Sequence, residues 1–177
     1  CTSLPFGARS VGHYRFSDDY AEVPRKKNFV QVFWGIKGRG RMVLSGVERE
    51  LGPGQIAAYF PGMIHNISTA GEPWEYRWWT MDGPLASSIA ASFGITSDIL
   101  DAGPAPVGLF DELENAIRDI SREGELRACS IAFELLTRAA GFRNRQHSDP
   151  MVAAALEKIH RDWKDPSLCV KTLAAHV

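Results

Sequence analysis

The sequence predicts a mainly β domain, a sandwich or a barrel of short strands, that is followed by α-helices. The first observation is a series of short runs rich in β-branched and aromatic residues, each stopped by a turn signal, which continues to Gly83. The second is a change of period after Gly83, where apolar residues recur every three or four positions, as on one face of a helix. Short strands interrupted this often by turns are typical of sandwiches and barrels.

Five strands are predicted in the first half of the chain. The segment "FVQVFWGIKG" is rich in β-branched and aromatic residues and ends in a glycine turn, and "RMVLSGVERELGPG" predicts two strands around a central turn. The segments "QIAAYF" and "PWEYRWWTMDG" are stopped by Pro61-Gly62 and by Asp82-Gly83. The first eight residues, "CTSLPFGA", have no periodic pattern and are predicted to form a loose arm.

Three helices are predicted after Gly83. The segment "PLASSIAASFGI" predicts a short helix that ends at Gly94, and "GLFDELENAIRDISREGE" predicts a second helix that ends at Gly124. A third helix follows in "LRACSIAFELLTRAAGF", and the short turn before it favours antiparallel packing of the last two helices. Their apolar faces consist of Phe110, Leu113, Ile117 and Ile120 in the second helix, and of Cys129, Ala132, Phe133, Leu135, Leu136, Ala139 and Ala140 in the third.

The composition excludes several classes of protein. Hydrophobic residues make up 45% of the 177 residues and charged residues 23%, which is typical of a globular domain. The net charge of −1 gives no overall electrostatic case for binding nucleic acid through these residues. The three cysteines are far apart and form no CxxC pair, which favours a reducing compartment. No apolar run reaches membrane-spanning length.

The last 35 residues read as a separate segment. The polar stretch "RNRQHSDP" is typical of a linker, and Ser148 or Asp149 is suited to cap a helix whose first residue is Pro150. The stretch "KDPS" breaks this helix, and "LCVKTLAAHV" begins another, inside which the sequence stops. We therefore expect the natural protein to continue. The buried face of the first of these helices is predicted to consist of Val152, Leu156, Ile159 and Trp163.

Taken in order, these segments resemble the AraC family of bacterial transcription regulators. The final segment is similar to the start of the family's DNA-binding domain, with Ile159, Asp165, Pro166, Leu168, Leu173, Ala174 and Val177 at matching places. The stretch "GRGRMVLSGVERELGPGQIAAYFPGMIH" is similar to the turns and strands of its effector domain, and "EPWEYRWWTMDGP" to a tryptophan-rich strand of sugar-responsive members. One departure is Cys169, which stands where the family usually has a hydroxyl residue that caps the helix, and Ser167 is the alternative cap.

The resemblance implies a cupin-like jelly-roll barrel, an antiparallel helix pair and the truncated start of a helix-turn-helix domain. The barrel with its N-terminal arm is assigned to residues 1–83 and the helical dimerisation region to 84–143. A linker occupies 144–149, and the incomplete DNA-binding domain occupies 150–177. In this interpretation the chain senses an effector and dimerises in the cytoplasm, and the missing C-terminal part of the full-length protein binds DNA.

The resemblance also implies a ligand site inside the barrel. It places the face of Tyr76 and Trp78 inward, together with Val30 and Trp34 on the earlier strand, and puts His65 near the mouth. Flat aromatic rings stack on the C–H faces of sugars, so a carbohydrate is the expected effector. The arm of residues 1–8 is expected to fold over it. The alternative is that these aromatic side chains, and His65, are ordinary core.

The third helix is expected to pack on its counterpart in a second copy of the chain. The dimerisation residues implied are Cys129, Ala132, Leu135, Leu136 and Ala139. The alternative for this stripe is that it simply covers the barrel.

No enzymatic activity, cofactor or metal site is predicted. A catalytic metal requires about three protein ligands, and "VFWGIKGRG" contains no histidine to join His65. Cys129 lies on an apolar stripe, which favours a core residue over a nucleophile. Two alternatives to the sensor stay open: a metal-dependent cupin enzyme acting on a sugar, and a ligand-independent dimerisation module whose barrel is full.

Overall fold

The computed structural model describes residues 4–17, 19–146 and 150–174, with residues 143–146 and 153 described by their backbone alone. The chain divides into two compact units, one that ends at Phe142 and one that begins at Arg143. Residues 147–149 of the predicted linker and 175–177 of the predicted DNA-binding segment lie outside the described residues.

The first unit is built from antiparallel strands, as the sequence predicts. The strands are β1 (Gly7–Phe16), β2 (Arg25–Lys26), β3 (Val30–Lys37), β4 (Gly40–Leu44), β5 (Val47–Leu51), β6 (Gln55–Tyr59), β7 (Ile64–His65), β8 (Ile67–Thr69), β9 (Trp74–Asp82) and β10 (Leu100–Asp101). A five-stranded sheet has the order β1-β9-β3-β6-β10, a three-stranded sheet has the order β5-β4-β8, and β2 pairs with β7.

Two hydrophobic cores lie on opposite faces of the five-stranded sheet. One fills the space between this sheet and the three-stranded sheet, and includes Phe33, Met42, Tyr59, Ile67 and Tyr76. The space between the two sheets is called the lumen here. The other core lies between the outer face of the five-stranded sheet and the helices. This arrangement is a jelly-roll barrel with helices packed on one side, and it confirms the predicted fold class.

Three helices follow the barrel strands: α1 (Ala86–Ser92), α2 (Val107–Arg118) and α3 (Arg122–Gln146). The short helix before Gly94 is confirmed. The prediction that Gly124 ends the second helix is wrong, because α2 ends at Arg118 and Gly124 lies within α3. The Ser121 hydroxyl accepts a hydrogen bond from the Gly124 N–H and so caps α3. A Cβ on Gly124 would lie 2.2 Å from the Asp119 carbonyl oxygen, so the glycine permits this tight turn.

Other boundaries also differ from the prediction. Strand β10, at residues 100–101, adds to the main sheet, so the barrel does not end at residue 83. Helix α3 continues through residue 146 into the predicted linker, since no proline interrupts its last turns. Ile120, predicted on the buried face of α2, is fully exposed at the turn between α2 and α3.

The described part of the N-terminal arm does not cover the lumen. Phe6 is buried in the core between the sheet and the helices. The Pro5 carbonyl accepts a hydrogen bond from the Leu85 N–H, and the Phe6 carbonyl accepts one from the Cys129 thiol. The expectation of an arm folded over the ligand site is therefore wrong for residues 4–8, which are held on the helical side.

The second unit contains α4 (Pro150–Asp162) and α5 (Val170–Ala174), as predicted. Cys169 precedes α5, and its N–H donates to the Thr172 hydroxyl at 2.9 Å. The Cys169 thiol accepts hydrogen bonds from the backbone N–H groups of Thr172 and Lys171, which lower its pKa, so the cysteine itself caps α5. The predicted buried face of α4 is largely exposed: Val152, Leu156 and Trp163 are 53%, 48% and 66% exposed. Within the described residues, no helix is both long enough and apolar enough to cross a membrane.

Candidate functional site

The pairing register arranges the lumen in layers. Thr80 of β9 lies between Ser10 of β1 and Gln31 of β3, and these three residues form a polar layer. The next layer places Trp78 between Gly12 and Phe33. Because side chains alternate along a strand, Tyr76 and Tyr14 follow in the third layer on the same face. The lumen is therefore polar at one end and aromatic toward the other.

A cavity of about 310 Å³ occupies this space. This volume is at the small end of the range usual for small-molecule sites, about 300–1,000 Å³. Its wall combines aromatic rings with a few polar groups, which is the usual composition of a site that must orient its ligand. The lining residues are Ser10, Tyr14, Phe16, Tyr20, Glu22, Lys27, Phe29, Gln31, Phe33, Ile67, Tyr76, Trp78 and Thr80.

The aromatic wall is held by ring-to-ring contacts. The Tyr76 ring lies 4.2 Å from Trp74 and 5.4 Å from Phe33, measured between ring centroids. Tyr14 lies nearly parallel to Trp78, with centroids 6.1 Å apart. Burial raises the pKa of the Tyr76 hydroxyl far above its ordinary value, so that the group stays protonated and able to donate a hydrogen bond.

The indole of Trp78 is placed by a glycine. A Cβ on Gly12 would lie 2.6 Å from Nε1 and Cε2 of Trp78, so the indole rests directly against the backbone of β1. The Trp78 Nε1–H is buried, and no described group accepts its hydrogen bond. An indole N–H is a donor only, so a ligand that carries an acceptor oxygen would match it.

The polar end of the cavity carries opposite charges. Lys27 Nζ lies 3.4 Å from Glu22 Oε1 and 3.4 Å from Gln31 Oε1. The Ser10 and Thr80 hydroxyls share a hydrogen bond of 2.6 Å. Hydrogen-bond donors and acceptors therefore lie side by side at this end of the lumen.

His65 lies next to the cavity and is fully buried. Its ring stacks on Tyr59 with centroids 4.2 Å apart, and Phe29 meets it edge-on. No described group forms a hydrogen bond with either ring nitrogen. Burial, and then the nearby Lys27 ammonium, lower the pKa of His65 from 6.5 to about 4, so the imidazole is neutral at pH 7.

A family described as "AraC-like ligand binding domain" matches residues 10–173, which is most of the chain. The chain belongs to this AraC-like ligand-binding family. No match was found among curated proteins.

Several solved structures, two of them described as cupin domains, resemble parts of this AraC-like domain. A predicted oxalate decarboxylase from Thermotoga maritima is 16% identical over 41% of this chain and 65% of that one, with a TM-score of 0.39. A Cupin 2 conserved barrel domain protein from Salinispora arenicola is 15% identical over 51% and 75%, with a TM-score of 0.39. The Cupin_2 domain of an XRE family transcriptional regulator from Enterobacter cloacae is 16% identical over 44% and 82%, with a TM-score of 0.36. These likenesses concern the fold alone.

Two of the five predicted ligand residues of the AraC-like domain line the cavity, namely Tyr76 and Trp78. His65 is next to it, behind Phe29 and Phe33. The placement of Val30 and Trp34 inside the barrel is wrong, because both side chains lie in the core between the sheet and the helices.

Trp34 has a structural role on the outer face of the sheet. Its indole N–H donates a hydrogen bond of 2.8 Å to the Gly103 carbonyl, and its ring meets Phe110 of α2 edge-on. Val30 is paired with Met81 across β3 and β9 and shares this face. The neighbouring residues Gln31 and Phe33, which alternate with them, are the ones that face the lumen.

The predicted dimerisation stripe is also used within the chain. Ala132, Leu135, Leu136 and Ala139 are fully buried in the core that α3 forms with the sheet, and Cys129 packs against that core. The four fully buried side chains are not available to a second copy, so their assignment to a dimer interface is wrong, whereas Cys129 is only partly buried. The alternative prediction, that the stripe packs against the barrel, is confirmed for these buried side chains.

Three residues that line the cavity were not predicted from the sequence: Tyr20, Glu22 and Lys27, in the segment between β1 and β3. This segment has no strand-length apolar run, so periodicity gave no reason to place it on the barrel. It is nevertheless attached to β8: the Glu22 N–H donates to the Ile67 carbonyl, and the Thr69 N–H donates to the Tyr20 carbonyl. One signal in the sequence could have indicated the polar end of the cavity, namely Gln31, a polar residue within an otherwise apolar strand.

A larger cleft of about 580 Å³ lies outside the barrel, between the start of β1 and the turn joining α2 to α3. Glu125 forms ion pairs with both Arg9 and Arg122 in this cleft, although Arg9 Nη2 is buried without a partner among the described residues. The lumen cavity is the better candidate because it lies between the two sheets and combines aromatic rings with the buried Trp78 Nε1–H, for which no described group is an acceptor. Within the described residues, no three His, Cys, Asp or Glu side chains form a group suited to hold a metal ion.

Proposed function

We propose that this AraC-like domain is the effector-sensing and dimerisation part of a transcription regulator, and that its effector is a carbohydrate bound in the lumen. The observation that carries the proposal is the layered cavity of about 310 Å³, in which aromatic rings adjoin a polar end. Sugars present both apolar C–H faces and hydroxyl groups, and so match a wall of this composition. The Trp78 N–H and the Tyr76 hydroxyl supply donors toward such a ligand.

The regulator would act as a homodimer through the outward face of α3. On this face Leu126 and Phe133 are 47% and 45% exposed. The stripe formed by Leu126, Ser130, Phe133 and Thr137 has alternating spacings of four and three residues, which is the seam pattern of paired helices. This stripe replaces the buried one that the sequence analysis assigned to the interface.

The charges beside this stripe match an antiparallel pair. When two copies of α3 run in opposite directions around a point between residues 130 and 131, Arg127 of one copy faces Glu134 of the other. In the same register Glu123 faces Arg138. Each pair joins opposite charges, and the two-fold axis repeats both pairs. A second copy of the chain is therefore the occupant that we propose for this face.

Sensing rather than catalysis is the proposed role. Ligand binding would shift the population of full-length dimers in the cytoplasm between two arrangements, in only one of which the missing DNA-binding residues engage DNA. The ligand shifts this equilibrium only by the difference of its affinities for the two arrangements. Dimerisation would supply two DNA-binding segments at a fixed spacing.

The test is a thermal-shift screen of the chain against a panel of sugars, with divalent metals in parallel wells. A sugar that binds the folded state raises Tm in a concentration-dependent way. We expect Trp78→Ala to abolish the shift, and Trp163→Ala to retain it as a matched control, because Trp163 lies in the second unit and is largely exposed. A shift produced by a metal and lost in His65→Ala would refute the sensor and support the metal-dependent enzyme.

A further inference from the structure

The cavity carries one matched pair of opposite charges. Among the described residues that line it, Lys27 bears the single positive charge and Glu22 the single negative charge. Lys27 Nζ and Glu22 Oε1 lie 3.4 Å apart, and the two side chains are 22% and 25% exposed. Together they give no net charge to a site that is partly shielded from solvent.

The pair can bind one ligand group from the side. Lys27 Nζ and Glu22 Oε1 lie 3.4 Å apart, longer than the roughly 2.7–2.9 Å typical of a strong charge-assisted hydrogen bond, so each keeps hydrogen-bonding capacity for a group that approaches both. A ligand hydroxyl accepts a hydrogen bond from the Lys27 ammonium through its oxygen and donates its own proton to the Glu22 carboxylate. One neutral hydroxyl thus satisfies both charges.

A charged ligand group at this position is attracted by one side chain of the pair and repelled by the other. A carboxylate accepts a hydrogen bond from Lys27, but it has no proton for Glu22 and is repelled by it. An ammonium group binds Glu22 and is repelled by Lys27. In a partly desolvated site such repulsion weakens binding more than it does in water.

We propose that the pair formed by Glu22 and Lys27 makes the site selective for neutral sugars and rejects both uronic acids and amino sugars. This inference rests on the proposed function, because it specifies the class of sugar that the lumen takes. It assigns selectivity to a segment between β1 and β3, away from the tryptophan-rich strand.

The experiment is calorimetric titration of the whole chain at about pH 6, where a 2-amino sugar is protonated and a uronate is ionised, with matched triplets of sugars. Each triplet contains a neutral hexose, its uronate and its 2-amino derivative, in the gluco, galacto and manno series. We expect the neutral member of at least one triplet to bind, and both charged members to bind at least about tenfold more weakly. At this pH His65 is neutral and adds no charge.

Two substitutions are expected to change the selectivity in opposite directions. Glu22→Gln removes the repulsion of a carboxylate and should raise the affinity for the uronate, relative to the neutral sugar, by about tenfold or more. Lys27→Met should do the same for the amino sugar. Glu48→Gln and Lys26→Met are the matched controls, since both residues are exposed and neither lines the cavity, and they should leave the affinity ratios unchanged.

The outcomes separate the two proposals. A wild-type chain that binds a uronate or an amino sugar as tightly as the neutral parent retains the sensor and refutes the selectivity. Unchanged ratios in Glu22→Gln and in Lys27→Met refute the role of the pair, provided that both variants melt cooperatively. Absence of binding to every member of every triplet refutes the carbohydrate sensor itself, and the inference with it.

Discussion

Acidification should destabilise the barrel through His65. The imidazole is buried and its pKa is about 4 in the folded chain, against 6.5 when it is exposed to solvent. Between these values the unfolded chain binds a proton that the folded chain excludes, so the free energy of unfolding falls as the pH falls. The slope approaches about 1.4 kcal/mol per pH unit well below pH 6.5 and is half of that at pH 6.5, so lowering the pH from 6.5 to 5 costs about 1.6 kcal/mol through this residue alone.

The measurement is urea unfolding followed by tryptophan fluorescence at several pH values from 7.5 to 5. Four of the five tryptophans lie in the first unit, so the signal reports the unfolding of the barrel. Carboxylates also titrate toward the acid end of this range, and a variant without the imidazole is needed to separate their contribution. His65→Phe keeps a ring to pack on Tyr59 and removes the titration.

Between pH 6.5 and pH 5, we expect the free energy of unfolding of His65→Phe to fall by about 1.6 kcal/mol less than that of the wild type. His160→Gln is the matched control, because His160 is exposed on α4 in the second unit, and it should follow the wild-type curve. Parallel pH profiles for the wild type and His65→Phe would contradict the argument, since they would mean that His65 accepts its proton without unfolding the barrel.

Two further predictions concern the dimer and the site. Phe133→Glu places a charge on the outward stripe of α3 and should shift the chain from dimer to monomer in analytical ultracentrifugation, whereas Val47→Glu, an equally exposed change on β5, should not; a monomeric wild type would contradict the proposed interface. Gly12→Ala should displace the Trp78 indole, alter its fluorescence and weaken sugar binding at least about tenfold, because the new Cβ overlaps the ring. Gly108→Ala on α2 meets no atom within 4 Å and should leave binding unchanged while raising stability by up to about 1 kcal/mol; equal effects of the two alanines would refute the role given to Gly12.

Five of the ten strands, β3, β4, β5, β6 and β9, were predicted from the sequence, whereas β1 and the four strands of two or three residues were not. The faces of β3 were not predictable either. Residues Val30 to Trp34 are all buried, because helices cover one face of this strand and the opposite sheet covers the other. A strand covered on both faces has no alternation of apolar and polar residues, so its pattern cannot show which face lines the lumen. The resemblance placed the side chains of Val30 and Trp34 in the lumen, whereas the structure places those of Gln31 and Phe33 there.

The same limit applies to α3. Its apolar stripe predicted a helix that buries one face, and the structure confirms this. Periodicity states that a face is covered but not by which molecule, so the sequence could not separate packing on the barrel from packing on a second chain. The outward stripe was overlooked because Ser130 and Thr137 interrupt it with hydroxyl groups, which makes it less apolar than the stripe that packs on the sheet.

Strand β9 provides a direct connection between the ligand site and the helices. Its residues alternate between the lumen, where Tyr76 and Trp78 lie, and the outer face, where Arg77 donates a hydrogen bond of 2.8 Å to Asp111 of α2. The Arg77 guanidinium also lies 6.0 Å from the ring of Phe110, and Trp79 meets the same ring edge-on. A displacement of the backbone at Trp78 therefore moves groups that hold α2, one residue away on either side. In a sensor of the proposed kind, the ligand and α2 therefore contact opposite faces of the same strand. Coupling between them needs to pass only through the peptide bonds on each side of Trp78.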